Sequence, residues 1–122
     1  MRLEASTSRS TLLQLARDSI QEVLEAKNSI DKVTLTNKFP LLAQRVPTTI
    51  NIYINNELRG SSKSLSSPSS LINEIIINAK KAAFEDSSFT PLSTSEYLSC
   101  EIEIILQTPD GIISEKDPAI IQ

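Results

Sequence analysis

Apolar residues recur every three or four positions after residue 9, which is the spacing of one buried face of an α-helix. The segment reads STLLQLARDSIQEVLEAKNS. Thr11 and Gln14 have the spacing of a capping box at its start, and Lys27 and Asn28 are typical of a helix end. The pattern therefore predicts an amphipathic helix here.

The same spacing returns after residues 61–70, a serine-rich stretch whose composition predicts a loop. The apolar face of this second helix comprises Leu71, Ile72, Ile75, Ile76, Ala79, Ala82 and Ala83. Ser67 is suited to cap the helix because its hydroxyl can accept from unpaired backbone amides. Pro68 suits the first helical position, where no amide hydrogen is needed. We therefore predict a helix start at these two residues.

Alternation of apolar and polar residues predicts two half-buried strands. The inward residues of the first are Ile50, Ile52 and Ile54, and those of the second are Cys100, Ile102, Ile104 and Leu106. Asparagine tolerates left-handed backbone, so NNE after the first strand predicts a hairpin turn, with LRGS as a short returning strand. Pro109 and Gly111 are expected to end the second strand.

Residues 29–47 have no clear period, and Pro40 and Pro47 each disfavour helix in the residue before them. We expect a connector whose apolar residues fold back onto the core; these are Phe39, Leu41 and Leu42. After the second helix, EDSSFTPLSTSEYL predicts a turn and then a short helical turn beginning at Ser93.

This order of elements predicts an α+β fold, in which a small, mainly antiparallel sheet is covered on one face by two helices. Glu101 and Glu103 of the last strand point outward, so the other face is expected to be wet. Residues 1–9 are predicted to form a flexible tail and residues 10–122 a single domain. The final segment, IISEKDPAIIQ, has no pattern of its own, which indicates a domain truncated at its C-terminal end.

Composition excludes several functions. The net charge is −3 and the pI about 4.9, so the chain offers no basic field for nucleic acid or anionic lipid. No apolar run is long enough to cross a bilayer. Without histidine and with one cysteine, the chain cannot form the usual zinc sites or a Ser-His or Cys-His catalytic pair. We therefore predict no metal, no cofactor and no catalytic residue.

Three short motifs in order, ELRGSSKS, AKKAAFEDSSFTPLS and LSCEIEIILQTP, resemble signatures of the AMMECR family, named for the Alport syndrome and elliptocytosis chromosomal region. The matching residues are Leu58, Arg59, Gly60, Ala83, Phe84, Asp86, Phe89, Pro91, Leu92, Leu98, Glu103, Leu106 and Pro109. The resemblance covers roughly residues 10–110 and implies a structural role for Leu58, Phe84, Asp86, Phe89 and Pro91.

The chain departs from the family pattern at informative positions. Ser61 stands where the family has a cysteine, Lys63 where it has a second glycine, and Ser88 where it has an arginine. The glycine-rich second half of the pattern, with its Leu-Pro-Gln-Val segment, is absent. The resemblance implies a mixed α/β fold, a cytoplasmic or, in a eukaryote, nuclear location, and association with Memo-like or radical-SAM proteins. It implies no established reaction.

A candidate anion-binding or partner-binding site comprises Arg59, Gly60, Ser61, Ser62 and Lys63. The guanidinium matches phosphate or carboxylate oxygens, and glycine lets backbone amides approach a ligand closely. A Walker A loop is rejected because its first glycine is missing. The alternative is a solvated loop leading to a capped helix, and both interpretations stay open.

Other chemistry-bearing residues have structural interpretations. Cys100 is on the inward register of a strand, which favours a buried, inert thiol. Asp86 is expected to stabilise the turn before Phe89 through an Asx-type bond. Phe84 and Phe89 are predicted to be core residues.

Three hypotheses follow for function. The first is a non-catalytic binding or regulatory module that works with a partner protein, and composition favours it over an enzyme. The second is an enzyme subunit that binds an anionic small molecule at Arg59–Ser64. The third is a degenerate copy without activity. Exposed apolar surface on the uncovered sheet face would also allow an oligomer to form there.

Overall fold

The computed structural model describes residues 9–65 and 68–121, so the predicted tail lies almost entirely outside the described residues. The helices are α1 (Thr11–Leu24), α2 (Lys32–Lys38), α3 (Leu71–Phe84) and α4 (Thr94–Ser99), with a 3₁₀ turn at Pro40–Ala43. The strands are β1 (Thr48–Ile54), β2 (Glu57–Lys63), β3 (Glu101–Thr108) and β4 (Gly111–Asp117). They form one antiparallel sheet with helices packed against it, which confirms the predicted α+β class.

Helix α1 begins at a different cap from the predicted one. Ser10 is the N-cap, and its hydroxyl accepts from the amide of Leu13 at 3.2 Å. The side chain of Gln14 instead donates to Asp18 at 2.8 Å. The prediction of a capping box at Thr11 is therefore wrong, because the cap is the Ser10 hydroxyl alone, whereas the predicted helix is confirmed.

The segment predicted as an irregular connector contains helix α2, so that prediction is wrong. Asp31 caps the helix, since its carboxylate accepts from the amide of Thr34 at 3.0 Å. In the 3₁₀ turn that follows, Leu42 is buried and Phe39 packs at the margin of the core. Leu41 is 50% exposed, so it does not fold back as expected.

Strands β1 and β2 form the predicted hairpin. Asn55 and Asn56 make the turn with φ of 53° and 66°, the left-handed conformation that asparagine tolerates, and Ile54 pairs with Glu57. Strand β2 continues to Lys63. The returning strand is therefore longer than predicted, and residues 61–63 belong to the sheet and not to a loop.

Helix α3 buries the apolar face that its spacing predicted. It begins at Leu71 with Ser70 in the N-cap position, so the prediction that Pro68 is the first helical residue is wrong. The predicted cap, Ser67, lies outside the described residues. Glu74 on this helix holds the preceding segment, because its carboxylate accepts from the amide of Ser69 at 2.9 Å.

The last third of the chain contains one confirmed element and one that the pattern missed. Helix α4 starts at a capping box made by Ser93 and Glu96, as predicted from position 93. Strand β3 has the predicted inward residues, all buried. After a turn at Pro109–Asp110, β4 pairs with β3 from Gly111 to Asp117, where no strand was predicted.

The sheet order is β2-β1-β3-β4, so β2 and β4 form its two edges. Helices α1 and α3 cover one face, here called the helix face, and the buried core lies between. Its strand residues include Ile50, Ile52, Ile102, Ile104 and Leu106. No described element covers the opposite face, which agrees with the wet face predicted from Glu101 and Glu103.

A buried arginine ties α1 to the end of the sheet. Arg17 is fully buried, and its Nε donates to the Asp117 carboxylate at 2.6 Å. One terminal nitrogen donates to the backbone carbonyls of Cys100 and Pro118 at 2.9 and 3.0 Å, and the other to the Tyr97 carbonyl at 3.3 Å. Because a buried guanidinium without acceptors would be costly, these contacts fix α1 against β4.

Candidate functional site

The five residues predicted as an anion site lie on the edge strand β2, where alternate side chains point to opposite faces. A β-bulge in β2, opposite Ile52 and Tyr53 of β1, shifts the register, so that Gly60 pairs with Ile52 and Leu58 with Tyr53. Arg59 falls between these two pairs. The structure therefore distributes the cluster over an edge, the helix face and the outer face.

Arg59 is engaged within the chain. Its Nε and a terminal nitrogen donate to the Glu96 carboxylate at 3.0 and 3.1 Å, and the same terminal nitrogen reaches the Thr90 carbonyl at 2.8 Å. The guanidinium also lies 5.4 Å from the centre of the Phe89 ring. The hydrogen bonds from Arg59 lower the pKa of Glu96, and the Ser93 amide assists. The fork expected to bind an anion holds a carboxylate of its own chain.

Gly60 has a packing role. It lies on the helix face, and a Cβ added there would overlap the carbonyl oxygen of Ala82 on α3. Glycine therefore permits close approach of β2 to the helix backbone. One interpretation of the sequence was that this glycine admits a ligand, whereas the structure brings another element of the chain to this position.

Ser61 and Ser62 are also bonded to neighbouring elements. The amide of Ser61 donates to the Asp86 carboxylate at 3.0 Å, and its hydroxyl donates to the Asn51 side chain at 2.6 Å. Ser62 faces the helices and donates to the Asn78 side chain at 2.6 Å. The second Asp86 oxygen accepts from the Ser88 amide at 2.9 Å, which is the predicted Asx-type bond. Asp86 thus joins its own turn to the outer edge of β2.

Lys63 ends β2 on the outer face, opposite Thr49. These two residues border a shallow cavity of about 330 Å³ that Gln107 also lines. Lys63 is exposed, so an anion could reach its ammonium group. Anion binding at the predicted cluster stays a prediction, with Lys63 as its accessible cation.

The other motif residues surround the Arg59 contact. Phe84 is half-buried against the core, as predicted, whereas Phe89 is 37% exposed and packs beside the guanidinium. The prediction of Phe89 as a core residue is therefore wrong. Pro91 is exposed next to Thr90, and Leu58 is 48% exposed on the outer face.

Cys100 is buried, as its register predicted. Burial raises the pKa of its thiol, with the positive charge of Arg17 opposing the shift. The sulfur donates to the Tyr97 carbonyl at 3.2 Å. A buried thiol with a raised pKa is a poor nucleophile, which supports the inert role expected for it.

The outer face is the largest polar surface of the sheet. Its side chains are Thr49, Asn51, Tyr53, Leu58, Ser61, Lys63, Glu101, Glu103, Ile105, Gln107, Ile112, Ser114 and Lys116. All of them are half-buried or exposed. Tyr53 is the one aromatic side chain among them, and it lies between polar, charged and aliphatic groups.

Glu103 is held at the centre of the outer face. One carboxylate oxygen accepts from the Asn51 side chain and from the Tyr53 hydroxyl, each at 3.0 Å. Since Ser61 in turn donates to Asn51, three strands contribute to the network. Burial raises the pKa of Tyr53, and its bond to the Glu103 carboxylate raises it further. The phenol therefore stays a neutral donor, and Glu103 is fixed in place.

Lys116 completes the network from β4. Its ammonium group lies 4.6 Å from the centre of the Tyr53 ring and 3.3 Å from a Glu101 carboxylate oxygen. That oxygen is buried, and the ammonium approaches it without hydrogen-bond geometry. Beside it, Glu101 borders a cavity of about 390 Å³ with Asn55 and Ile121. The contacts preorganise the face without making a deep ligand pocket.

Within residues 9–65 and 68–121, no cluster of three or more cysteine, aspartate or glutamate side chains could bind a metal ion. In the same part of the chain, no helix has the length and apolar character needed to cross a membrane.

Two residues of the candidate site, Glu96 and Lys116, were not predicted from the sequence. Glu96 could be recognised as a helix-capping residue, but nothing in its spacing indicated that it also binds Arg59. Lys116 lies on a strand that the pattern missed. Alternation in β1 and β3 did give an indirect signal for the Glu103 network, because it placed Asn51, Tyr53 and Glu103 on outward registers.

Comparison with known proteins finds a matching family and a similar solved structure. The AMMECR1 family model matches residues 13–120. The crystal structure of an uncharacterized protein, PH0010 from Pyrococcus horikoshii, is similar with a TM-score of 0.70 and 24% sequence identity, covering 80% of this chain and 50% of that chain. The chain thus spans about half the length of that structure. No curated protein matches the sequence.

Proposed function

Because the chain belongs to the AMMECR1 family, as the family match over residues 13–120 shows, we propose that it is a non-catalytic domain that binds a partner protein through its outer face. The observation that carries the proposal is the Glu103 network on an otherwise uncovered face. Following the family resemblance, the partners to test first are Memo-like and radical-SAM proteins, and the proposed location is intracellular.

The internal contacts of the predicted anion cluster support a non-catalytic role. An anionic substrate would have to displace Glu96 from Arg59, and it would meet a Gly60 backbone already packed on Ala82. Displacement leaves one carboxylate without its partner, which costs free energy that the new contact must recover. Substrate binding at Arg59 is therefore less favourable than it would be in a preformed anion site.

The composition of the outer face supports binding of another protein. Tyr53 and Ile105 supply area that can be buried, while Glu103 and Lys116 supply fixed polar groups between them. Side chains that are already held in place lose little conformational freedom on binding. A flat surface of this kind fits another folded surface better than a small molecule.

The test measures binding of purified candidate partners to the wild-type chain and to Lys116→Glu by isothermal titration calorimetry. Lys116→Glu reverses a charge on the β4 side of the proposed surface, next to Tyr53 and Glu101, so we expect affinity to fall by roughly tenfold or more. Lys81→Glu makes the same change at an exposed position on α3, away from the outer face, and should leave affinity within about twofold.

Two results would contradict the proposed function. Equal losses in Lys116→Glu and Lys81→Glu would show that the outer face is not the binding surface. Turnover of a phosphorylated metabolite by the chain itself, abolished by Lys63→Ala with the fold retained, would favour the anion-binding enzyme subunit instead.

A further inference from the structure

Strand β4 forms an open edge of the sheet. It runs seven residues without proline, and its register with β3 has no shift. Ser10 and Arg9 bind the side chains of Glu115 and Asp117 at 2.8 and 3.1 Å, but none of the described residues outside the sheet ladder binds the backbone from Ile112 to Asp117. Outward-directed amides and carbonyls of such a strand can pair with an added strand.

Two adjacent isoleucines increase the exposed apolar area at this edge. Ile112 is 71% exposed and Ile113 is 52% exposed. They point to opposite faces, since alternate residues of a strand do so. A strand that paired with β4 would therefore cover apolar area on both faces of the sheet.

We propose that β4 pairs antiparallel with β4 of a second copy of this chain, about a two-fold axis at Ser114. This register uses the whole strand, from Gly111 to Asp117. It places Ile112 opposite Lys116 of the second copy and Ile113 opposite its Glu115. The aliphatic stem of Lys116 can cover Ile112 of the second copy while its ammonium group stays near Glu101, whereas Glu115 is held by the Ser10 hydroxyl at 2.8 Å.

Repulsion between like charges excludes the strand registers whose two-fold axis lies at Glu115 or Lys116. An axis at Glu115 or at Lys116 would bring each residue directly opposite its own copy, which places like charges together. An axis at Ser114 places no like charges directly opposite each other; diagonally, it brings Lys116 near Asp110 of the second copy and Glu115 near Glu115 of the second copy. The Ser114 register is therefore favoured by both length and charge.

The helix layer is compatible with this pairing. Helices α1 and α3 lie on one side of the sheet, and a two-fold axis perpendicular to the sheet keeps both helix layers on that side. The two outer faces then form one continuous surface. The pairing does not depend on the proposed partner-binding role, because it uses the edge of the sheet.

The test is a concentration series of the full chain by sedimentation equilibrium, with variants at the paired positions. The wild-type chain should form dimers reversibly. Ile112→Lys places lysine opposite Lys116 of the second copy at two symmetric positions, so the dimer dissociation constant should rise roughly tenfold or more. Adding Lys116→Glu to that variant places opposite charges together and should restore most of the affinity.

Val33→Lys is the matched control, because Val33 is also 71% exposed but lies on α2. It should leave dimerisation unchanged, and circular dichroism should show the same fold for all variants. A wild-type chain that stays monomeric throughout the series would overturn the proposal. Ile112→Lys dimers as stable as wild type would overturn it as well.

Discussion

The two edges of the sheet differ in how their backbones are satisfied. At β2, the Ser61 amide donates to Asp86, and Arg59 is bound to Glu96 and the Thr90 carbonyl. At β4, Ser10 and Arg9 bind the side chains of Glu115 and Asp117, but no described residue outside the ladder binds the backbone from Ile112 to Asp117. Natural proteins block edges that must not pair, by charges, bulges or covering loops. Because β2 carries a bulge and a covering segment, addition of a strand is hindered at that edge, and the pairing proposed above uses the other one.

The family motifs acquire a physical meaning from this comparison. Arg59 and Gly60 belong to β2, and Asp86 and Phe89 belong to the segment that covers it. The first two signatures of the resemblance thus meet at the closed edge. Their shared consequence is a fixed edge strand, independent of whether a ligand binds at Lys63.

The largest expected effect is at the contact between β2 and α3. Gly60→Ala would place a methyl group on the Ala82 carbonyl, so strand and helix must separate. We expect the free energy of unfolding to fall by about 3 kcal/mol, at the upper end of overpacking effects. Urea denaturation measures this change in the free energy of unfolding. Ser114→Ala on the open edge is the control and should change stability by less than about 0.5 kcal/mol.

Removing the Asp86 contacts that cover β2 should have the next largest effect on the free energy of unfolding. Asp86→Ala leaves the amides of Ser61 and Ser88 without their carboxylate acceptor. We expect a loss of about 1–2 kcal/mol by urea denaturation. Asp110→Ala removes an exposed carboxylate next to the open edge and should cost less than about 0.5 kcal/mol. Equal losses in the two variants would mean that the edges do not differ as described.

The ion pair at Arg59 should give a smaller, pH-dependent effect. Glu96→Gln is expected to cost about 1 kcal/mol at pH 7, since the pair is partly exposed and screened by solvent. The folded-state pKa of Glu96 is lowered, first by its bond to Arg59. The stabilisation that ionised Glu96 gives the folded state is therefore fully present above the pKa of Glu96 in the unfolded chain, near 4.5. It is lost as the pH falls through the pKa of Glu96 in the folded state.

The difference between wild type and Glu96→Gln should accordingly shrink in acid, which urea denaturation at several pH values would detect. Glu25→Gln alters an exposed ion pair with Lys27 and is the control, with little expected change. A constant difference from pH 7 to below the folded pKa would contradict the assigned cause.

The smallest expected effect is a difference in amide hydrogen exchange between the two edge strands. In dilute protein, the edge-facing amides of β4 should exchange hydrogen faster than the Ser61 amide, which is bonded to Asp86. Hydrogen exchange followed by NMR would resolve the two sets. If β4 pairs with a second copy, its protection should rise with protein concentration, whereas protection at Ser61 should not.

The regular elements were largely predictable because their apolar spacing is clear. The apolar spacing after residue 9 and the alternation of Ile50 and Ile52 each predicted the element that the structure contains. Strand β4 escaped because Ile112 and Ile113 are adjacent and do not alternate. Helix α2 escaped because its residues are mostly exposed, so it has no buried apolar face to reveal it.

The candidate site was only partly predictable. The residue types at positions 59–63 correctly drew attention to an edge of the sheet, but their partners come from distant segments. Asp86 is 25 residues from Ser61, and Glu96 is 37 residues from Arg59. Local spacing does not specify which of several nearby carboxylates reaches an arginine.

By itself, the amino-acid sequence determined the two long helices, the hairpin, the inward faces of β1 and β3 and the family. These depend on short-range periodicity and on residue preferences that act within a few positions. Only the tertiary structure decided that Arg59 binds Glu96, that Gly60 meets Ala82 and that β4 is left open. These contacts depend on how whole elements pack, because burial and backbone pairing join residues far apart in the chain.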